Sequence, residues 1–399
     1  MSDASERAVP RGFRVGGATA GIKASGRPDL AVFVPDGPVA RAGVFTRNLV
    51  FGAPVKWSRA LVPGTSRGGV IINSGNANAC TGAEGDRVAE WMAREAARLT
   101  ELDPQTDPFL VASTGIIGHQ LPTDGIAAAL PDLVASVGTS AEHLQAAAAA
   151  MMTTDTVPKV AFAEAGRARV VGVAKGAAMI NPNMGTMLAV VLTDAKLTPD
   201  EADAVLRRAV DRTFNAITID GHTSTSDTVF LLASGAVGDV PVDRGQLDTA
   251  VEEVCDELAQ AIVRDGEGAG HFVTVTVRGF DYEAAGQIGR AVCNDALVKT
   301  AICGDDPNWG RVVSACGWSG ATFDPSRLTL AINGVVVFAG GQPTEYDEAA
   351  LSTSMAAGDG RIGKVDLVLT LEGGSTDFRQ FYTTDLTQEY VRLNSEYTT

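Results

Sequence analysis

Short apolar runs and amphipathic helical patterns follow one another along the first half of the chain. Gly69 to Ile72 and Leu188 to Thr193 are apolar segments, and each meets a polar stretch that contains glycine or proline. This pattern is typical of buried strands whose ends carry sites. Apolar residues at helical spacing predict helices over Val88 to Leu99, Glu142 to Met152 and Pro199 to Thr213.

The helix over Pro199 to Thr213 has a complete start signal. Thr198 can cap it, Pro199 fits the first helical position, and Glu201 stands three residues after the cap. Together these residues form a capping box, so the start of this helix is predicted to the residue.

The pattern changes in the last third of the chain. A helix over Gln246 to Ile262 leads into the turn Asp265 to Gly268. Strand patterns then follow at Phe272 to Val277, Leu328 to Ile332, Val335 to Phe338 and Lys364 to Leu371. Asn333-Gly334, between two of these strands, is a strong hairpin signal. We therefore expect a mixed α/β protein with one domain over residues 1–278 and a smaller α+β domain over residues 279–399.

The composition of the chain argues against two classes of binding partner. The chain has 32 basic and 48 acidic side chains, a formal net charge of −16, which argues against binding to nucleic acid or to an anionic membrane surface. No apolar run approaches the roughly 20 residues needed to span a bilayer. Met1 to Arg14 lacks the apolar stretch of a secretory signal, so we expect a cytoplasmic protein.

Cysteine and histidine spacing gives no metal site and no disulfide framework. The odd number of cysteines and the absence of a C-x-x-C pair predict buried free thiols, and Cys80 has no obvious histidine partner for thiol catalysis. The histidines are dispersed without ligand spacing. They are His119, His143, His222 and His271.

A candidate nucleophile stands just before the strand Leu188 to Thr193. Gly185 precedes Thr186, whose hydroxyl can attack the carbonyl before it and form an ester. Hydrolysis of that ester frees the threonine amine, which is the base that an N-terminal threonine nucleophile requires. Gly185 has no Cβ, so a strained scissile geometry is easier to reach. Gly-Thr before an apolar run is common at plain strand starts, so the pattern alone favours that interpretation and leaves the nucleophile open.

Motifs spread over nearly the whole chain resemble those of one family. They are Gly21 to Lys23, Asp29 to Ala31, Asn73 to Gly82, Ala112 to Gly115, Met152 to Thr156, Lys175 to Ala195, Asp220 to Asp227, Asp265 to Gly268, Asp306 to Arg311 and Val391 to Thr399. In order and spacing this set resembles the ornithine acetyltransferase family, also called the glutamate N-acetyltransferases. Each motif is weak alone, but the order and spacing together are specific.

The resemblance implies a chain that cuts itself between Gly185 and Thr186. Residues 1–185 would then form an α chain, and Thr186 would be the first residue of a β chain. By the same resemblance Thr186 is the nucleophile, and its freed amine is the general base. Thr114 and Gly115 match the oxyanion hole that a tetrahedral acyl intermediate needs. Without the resemblance, Thr114 and Gly115 would be interpreted as a polar turn after a strand.

The resemblance also implies a set of substrate contacts. They are Thr153, Thr154, Lys175, Thr186, Glu267, Asn394 and Thr399. A lysine there can bind a carboxylate and lower the pKa of a neighbouring amine, whereas Glu267, also a matched catalytic residue, can pair with an ammonium group. On the pattern alone, Lys175 would be a solvated charge and Glu267 part of a turn. Contacts from Asn394 and Thr399 require the last residues to fold back into the site.

The activity implied by the resemblance is ping-pong transfer of an acetyl group from N-acetyl-L-ornithine to L-glutamate through an acyl-threonine intermediate. No metal or prosthetic group is implied, and acetyl-CoA stays open as a donor. The implied fold is a layered α-β-β-α sandwich with a smaller C-terminal domain, assembled from α and β chains as a dimer of heterodimers. Two other hypotheses stay open: an N-terminal-nucleophile hydrolase or aminopeptidase, and a processed but inactive binding or structural protein.

Several positions depart from the residues usual in that family. Gly185 replaces alanine, which leaves cleavage feasible, and Ser226 replaces asparagine. His222 stands where aspartate is common, and His271 where lysine is common. The two histidines are expected to make charge near the substrate pH-dependent. We therefore also keep the hypothesis of a paralogue that moves acyl groups between other amino acids or amines in specialised metabolism.

Overall fold

The computed structural model describes residues 8–181, 187–238, 243–358 and 362–396. Its strands are β1 (Phe13–Ala18), β2 (Leu30–Pro35), β3 (Val39–Phe45), β4 (Gly64–Ser66), β5 (Val70–Asn76), β6 (Leu110–Ile116), β7 (Lys159–Ala165), β8 (Ala168–Lys175), β9 (Leu188–Thr193), β10 (Thr228–Ala233), β11 (His271–Arg278), β12 (Leu328–Ile332), β13 (Val335–Ala339), β14 (Gln342–Pro343), β15 (Gly363–Leu371) and β16 (Phe378–Thr384). Its α-helices are α1 (Ala53–Arg59), α2 (Gly82–Leu99), α3 (Thr123–Ser136), α4 (Ala141–Met151), α5 (Pro199–Arg212), α6 (Arg244–Arg264), α7 (Tyr282–Asn294), α8 (Ala296–Cys303), α9 (Trp309–Trp318), α10 (Glu348–Ala356) and α11 (Gln388–Glu396). The mixed α/β class predicted from the sequence is confirmed.

These strands form three mixed sheets. The first sheet has the order β1-β2-β5-β6, the second β4-β3-β10-β9-β8-β7, and the third β14-β13-β12-β15-β11-β16. Each sheet contains one parallel pair, β5 with β6, β9 with β10, and β11 with β15, and its other pairs are antiparallel. The C-terminal ends of β6 and β8 carry residues that the sequence predicted for the site.

The first and second sheets share a core, and β9 shows how the sequence encodes it. Leu188, Val190 and Leu192 pack into the core that also holds buried residues of the first sheet. Ala189 and Val191 face a second core, which holds buried residues of α5 and α6. Since both faces of β9 are covered, all of its residues are buried and the strand reads as a continuous apolar run.

Helices cover the outer faces of the two sheets. Buried residues of α2 and α3 pack with the first sheet in a core of their own, whereas α5 and α6 pack on the second sheet. Helix α4 contributes to the core that the two sheets share. No α-helix within the described ranges is both long and apolar enough to cross a membrane.

The third sheet forms a separate core with α7 to α10. Strand β11 lies in this sheet, between β15 and β16. The predicted domain boundary after residue 278 therefore places β11 in the first domain, although β11 pairs within the sheet of the second domain. The position of the boundary itself stays a prediction.

Local signals in the sequence correspond to the observed elements in most places. Helix α5 begins with the predicted capping box, in which Thr198 Oγ1 accepts from Glu201 N–H at 3.3 Å. Helix α2 begins at Gly82, earlier than predicted, because glycine-rich first turns have no apolar periodicity. The expectation of buried thiols was wrong for Cys80, which lies exposed beside that helix start, and for Cys303, which is exposed at the end of α8.

Candidate active site

A cavity of about 360 Å³ lies between the first sheet, the second sheet and α11. Its walls come from the end of β6, the segment after α4, the end of β8, the loop before β10, the segment after α6, and α11. Seven residues predicted from the sequence line it: Thr114, Gly115, Thr153, Thr154, Lys175, Glu267 and Asn394. The structure thus brings together residues that lie far apart in the chain.

The first wall is the end of β6. Thr114 and Gly115 pair in parallel register with Ser74 and Gly75 of β5. Gly115 has φ +129°, and a Cβ on it would lie 2.3 Å from the carbonyl carbon of Gly75, so only glycine fits. This close approach of two strands makes a rigid backbone edge, which is the kind of support that preorganised hydrogen-bond donors need.

The second wall holds Lys175, which is 4% exposed at the end of β8. Its Nζ donates to Thr153 Oγ1 at 3.2 Å. Asp155 accepts the backbone N–H of Thr153 at 3.0 Å and that of Gly176 at 2.6 Å. One buried carboxylate therefore fixes the backbone on both sides of the lysine–threonine contact.

Asp155 belongs to a buried group that we name the lysine cluster, made of Lys159, Asp155 and Asp265. Lys159 Nζ donates to Asp155 Oδ1 at 2.7 Å and to Asp265 Oδ2 at 2.6 Å. The Lys159 side chain is 1% exposed. Burial works to raise the pKa of Asp155, but Lys159 and Lys175 outweigh it and hold that pKa below its ordinary value.

A second buried carboxylate faces Lys175 from the start of β10. Burial lowers the pKa of Lys175, and the charges of Asp155 and Asp227 oppose that shift. Burial also raises the pKa of Asp227 well above its ordinary value. Oδ1 of Asp227 accepts the backbone N–H of Met187 at 3.1 Å. The lysine and this carboxylate thus stand near the point where the chain enters β9.

Three predicted residues lie outside the described ranges. They are Gly185, Thr186 and Thr399. Met187, which follows Thr186 in sequence, is buried and leads into β9.

The C-terminal helix α11 forms a further wall of the cavity. Asn394 Nδ2 donates to Glu267 Oε2 at 2.9 Å, and Glu267 N–H donates to the carbonyl of Ala177 at 2.8 Å. Gly268 has φ +65°, and a Cβ there would lie 2.4 Å from the backbone nitrogen of Tyr390. A glycine at this position therefore lets α11 approach the segment that carries Glu267.

The loop before β10 is organised by Asp220. Its carboxylate accepts the backbone N–H groups of Met179 at 2.6 Å, Ile180 at 3.0 Å and His222 at 3.0 Å. Burial raises the pKa of Asp220, against the effect of these hydrogen bonds. Asp220 thereby joins the segment after β8 to the loop that carries His222.

The structure separates the two histidines that the sequence placed near the substrate. His222 lines the cavity, whereas His271 is absent from its lining. His271 Nδ1 lies 2.8 Å from Asp385 Oδ2, and Nε2 lies 2.9 Å from Asp305 Oδ1. We name these three residues the histidine cluster. Burial disfavours protonation of the ring, but Asp385 and Asp305 outweigh it and raise the pKa of His271 above its ordinary value.

Comparison with known proteins identifies the family of the chain. The chain matches the model of the ArgJ family over residues 14–399. It belongs to the ArgJ family. The arginine biosynthesis bifunctional protein ArgJ of Rhodopirellula baltica is 43% identical, over 98% of this chain and 96% of the relative. The protein of the same name from Thermus thermophilus is also 43% identical, over 98% of this chain and 99% of the relative.

One solved structure of the ArgJ family adds a comparison of folds. A crystal structure of arginine biosynthesis bifunctional protein ArgJ from Bacillus halodurans aligns with a TM-score of 0.50 and 34% identity. The alignment covers 53% of this chain and 100% of that chain.

Sequence reasoning on this ArgJ-family chain missed residues that organise the site. Asp155 and Asp220 lie inside motifs that were recognised, but neither was assigned a role. Tyr390, which lines the cavity from α11, directly precedes the recognised C-terminal motif. The part of the chain that the structure describes holds no group of three or more histidine, cysteine or carboxylate side chains arranged for a metal ion.

Proposed function

We propose that this protein is an N-acetyltransferase of arginine biosynthesis that moves an acetyl group from N-acetyl-L-ornithine to L-glutamate. Relatives that match 98% of the chain are named for arginine biosynthesis. The observation that carries the proposal is the convergence of Thr114, Lys175, Glu267 and Asn394 on one cavity of about 360 Å³. A cavity of this size suits one acyl-amino acid at a time, as a ping-pong reaction requires.

The first step of the proposed mechanism is self-cleavage. Thr186 Oγ attacks the carbonyl carbon of Gly185, the peptide C–N bond breaks, and the proton from the hydroxyl passes to the new amine. Water then hydrolyses the ester, which leaves a carboxylate on Gly185 and restores the Thr186 hydroxyl. The contact of Met187 N–H with Asp227 Oδ1 at 3.1 Å supports this step, because it holds the start of β9 in one register.

The transfer itself uses the freed threonine. Its amine accepts the hydroxyl proton as Oγ attacks the acetyl carbonyl of N-acetyl-L-ornithine, and the same proton passes to the departing nitrogen of ornithine. The amine of glutamate then attacks the acetyl-threonine ester and loses a proton as the threonine hydroxyl is restored. We assign the oxyanion hole for both tetrahedral intermediates to Thr114 and Gly115, whose backbone is held rigidly against β5.

The remaining predicted residues are proposed to bind the amino-acid part of the substrates. The charge of Lys175 would bind a carboxylate and keep the Thr186 amine neutral, so that it acts as a base. Its contact with Thr153 places Thr153 and Thr154 on the same wall. Glu267 would take an ammonium group, with Asn394 and Thr399 closing the site from the C-terminal side.

We also propose which cofactor, assembly and compartment the protein has. The mechanism needs no metal or prosthetic group, and its partners are an acyl-amino-acid donor and an amino-acid acceptor. We propose that α and β chains assemble as a dimer of heterodimers in the cytoplasm. Sedimentation of the purified protein tests the assembly.

A transfer assay with labelled donor tests the function. The wild-type protein should move the label from N-[¹⁴C]acetyl-L-ornithine to L-glutamate, and product should depend on the acceptor. Lys175→Met should lower the transfer rate by about 100-fold, the scale of losing one charged group aimed at the reacting centre. Release of free acetate without glutamate would instead establish a hydrolase, and transfer to other amines at a higher rate would establish a paralogue.

Acetyl-CoA serves as a second donor in the same assay. Formation of acetylglutamate from labelled acetyl-CoA would extend the proposal, since the acyl-threonine intermediate is common to both donors.

A further inference from the structure

The histidine cluster has a geometry that fits a charged imidazole. Both ring nitrogens of His271 face carboxylate oxygens at hydrogen-bond distance, 2.8 Å to Asp385 and 2.9 Å to Asp305. A neutral imidazole has one N–H and one lone pair, so it can donate to only one of them, whereas an imidazolium donates to both. The His271 side chain is 8% exposed, so water cannot easily replace a lost partner.

The two carboxylates are held differently. Asp385 is buried and accepts the backbone N–H groups of Gly270 at 2.8 Å and His271 at 3.2 Å. The side chain of Asp305 is 35% exposed in the loop after α8. When the ring loses its proton, Asp305 is therefore the partner that turns to water.

Helix α8 connects Asp305 to the start of α11. Lys299 of α8 donates from Nζ to Thr383 Oγ1 at 2.9 Å, and its carbonyl accepts the N–H of Leu386 at 3.4 Å. The bond between His271 and Asp305 fixes the C-terminal end of the same helix. Contacts from the middle of α8 and from just after its C-terminal end thus hold the residues that lead into α11.

Helix α11 in turn closes the cavity. The hydroxyl of Thr387 donates to the carbonyl of Gly268 at 2.6 Å, and Asn394 donates to Glu267 at 2.9 Å. We propose that charged His271 is a positioning residue of the acetyl-transfer site, which holds α8 and the start of α11 so that Glu267 and Asn394 stay in contact. This inference rests on the proposed function and adds to it a dependence of substrate binding on pH.

Other titratable groups face the histidine cluster, and the experiment has to separate them from His271. Burial lowers the pKa of Lys299 to about 8, against the effect of the Asp385 charge. Burial, Asp385 and Asp305 together raise the pKa of the Cys303 thiol. Lys299 is therefore the group whose titration overlaps most with that of His271.

The test compares wild type, His271→Lys and His271→Gln from about pH 6 to about pH 9, the range in which imidazole and not lysine normally changes charge. Amide hydrogen exchange of α11, corrected for the intrinsic pH dependence, is measured beside KM and kcat for glutamate. Exchange and KM of the wild type should rise together with pH while kcat changes little. The α11 exchange and the KM of His271→Lys should stay low at every pH, and those of His271→Gln should be high at every pH.

Two results would overturn the proposal. A wild-type pH profile that persists in His271→Lys assigns the effect to Lys299 and overturns the proposal. Equal α11 exchange in all three proteins does the same. If acetyl transfer is absent at every pH while α11 exchange still follows His271, the proposed function fails and the positioning contact stands.

A milder variant covers the case in which His271→Gln does not fold. Asp305→Asn keeps the buried contact with Asp385 and removes the exposed carboxylate, so it should shift the pH midpoint of α11 exchange downward. The matched control is Asp306→Asn, which alters the neighbouring carboxylate that bonds to Asn308 and not to the ring. An unchanged midpoint in Asp305→Asn contradicts the proposal.

Discussion

The lysine cluster and the histidine cluster each support one wall of the cavity, but they use different cations. Each places one cation between two carboxylates and thereby fixes one wall of the cavity. Lys159 lies 2.7 Å and 2.6 Å from its two partners, and its side chain is 1% exposed. His271 lies 2.8 Å and 2.9 Å from its partners, one of which is 35% exposed. The first wall is built on a lysine ammonium, and the second on an imidazole whose pKa the two carboxylates raise above its ordinary value.

The two walls have different roles in the proposed chemistry. The lysine cluster supports the backbone around Lys175 and Thr153, where we assign Lys175 to a substrate carboxylate and to control of the Thr186 amine. The histidine cluster supports the wall with Glu267 and Asn394, which we assign to the amino-acid end. The wall that carries Lys175 is therefore held by a buried lysine, whereas the wall that carries Glu267 is held by a histidine whose charge depends on pH.

The largest expected effect is removal of the buried lysine. Lys159→Met leaves the carboxylates of Asp155 and Asp265 buried without their cation, which should lower the free energy of unfolding by about 3–5 kcal/mol in urea denaturation. Lys364→Met is the matched control, because Lys364 lies 3.6 Å from Asp366 with both side chains exposed. That change should cost less than about 1 kcal/mol. Equal effects of the two variants would contradict the role of the lysine cluster.

The next effect concerns the docking of α11. Gly268→Ala places a Cβ 2.4 Å from the nitrogen of Tyr390, so α11 has to move, and we expect a loss of about 1–3 kcal/mol with a raised KM for glutamate. Gly341→Ala has a similar φ of +78° but its Cβ meets nothing nearer than 3.6 Å. The control should therefore show only the cost of the left-handed backbone and an unchanged KM.

The third effect is a dependence of stability on pH. The pKa of folded His271 is raised above its ordinary value of 6.5. The stabilisation that charged His271 gives the fold is therefore fully present below the pKa of this residue in the unfolded chain. It is lost as pH rises through the pKa of His271 in the folded protein. His271→Gln should be less stable than wild type by about 2 kcal/mol at low pH, with no difference at high pH. The matched control for loss of a histidine hydrogen bond is His143→Gln, whose ring bonds to the Ser140 hydroxyl.

The smallest effect is expected on the solvent face of α11. Arg392→Ala removes ion pairs with Glu389 and Glu396, both at 2.7 Å, in which all three side chains are about half exposed or more. Exposed pairs of this kind contribute little, so unfolding and KM should be unchanged. A marked loss of activity in this variant would show that α11 is held by its surface charges and not by its contacts with Gly268 and Glu267.

The bounds of several strands were predictable from the sequence to within a residue, although β5 (Val70–Asn76) continues past the predicted end at Ile72. The predicted strands Leu188 to Thr193 and Leu328 to Ile332 have the bounds that the structure gives to β9 and β12. The hairpin signal Asn333-Gly334 is also confirmed, with φ of +46° and +82° at the two residues. These signals are local, so the sequence contains all of the information that they need.

Buried charges were not predictable in this way. On the pattern alone Lys175 would be a solvated charge, but it is 4% exposed. Lys159 opens β7, and one of its partners, Asp265, lies 106 residues further along the chain. A charged side chain is buried only when such distant partners compensate it, and no local pattern reports that. The set of residues around the cavity came instead from the order and spacing of motifs over the whole chain.

The most direct test of the central claim is the intact mass of the purified wild-type protein beside Thr186→Ala, before and after addition of N-acetyl-L-ornithine. The account predicts two wild-type fragments that meet between Gly185 and Thr186, with the mass of one acetyl group added to the C-terminal fragment after mixing. Thr186→Ala should remain a single chain without an adduct. An uncut wild-type chain, or an adduct on the N-terminal fragment, would contradict Thr186 as the nucleophile.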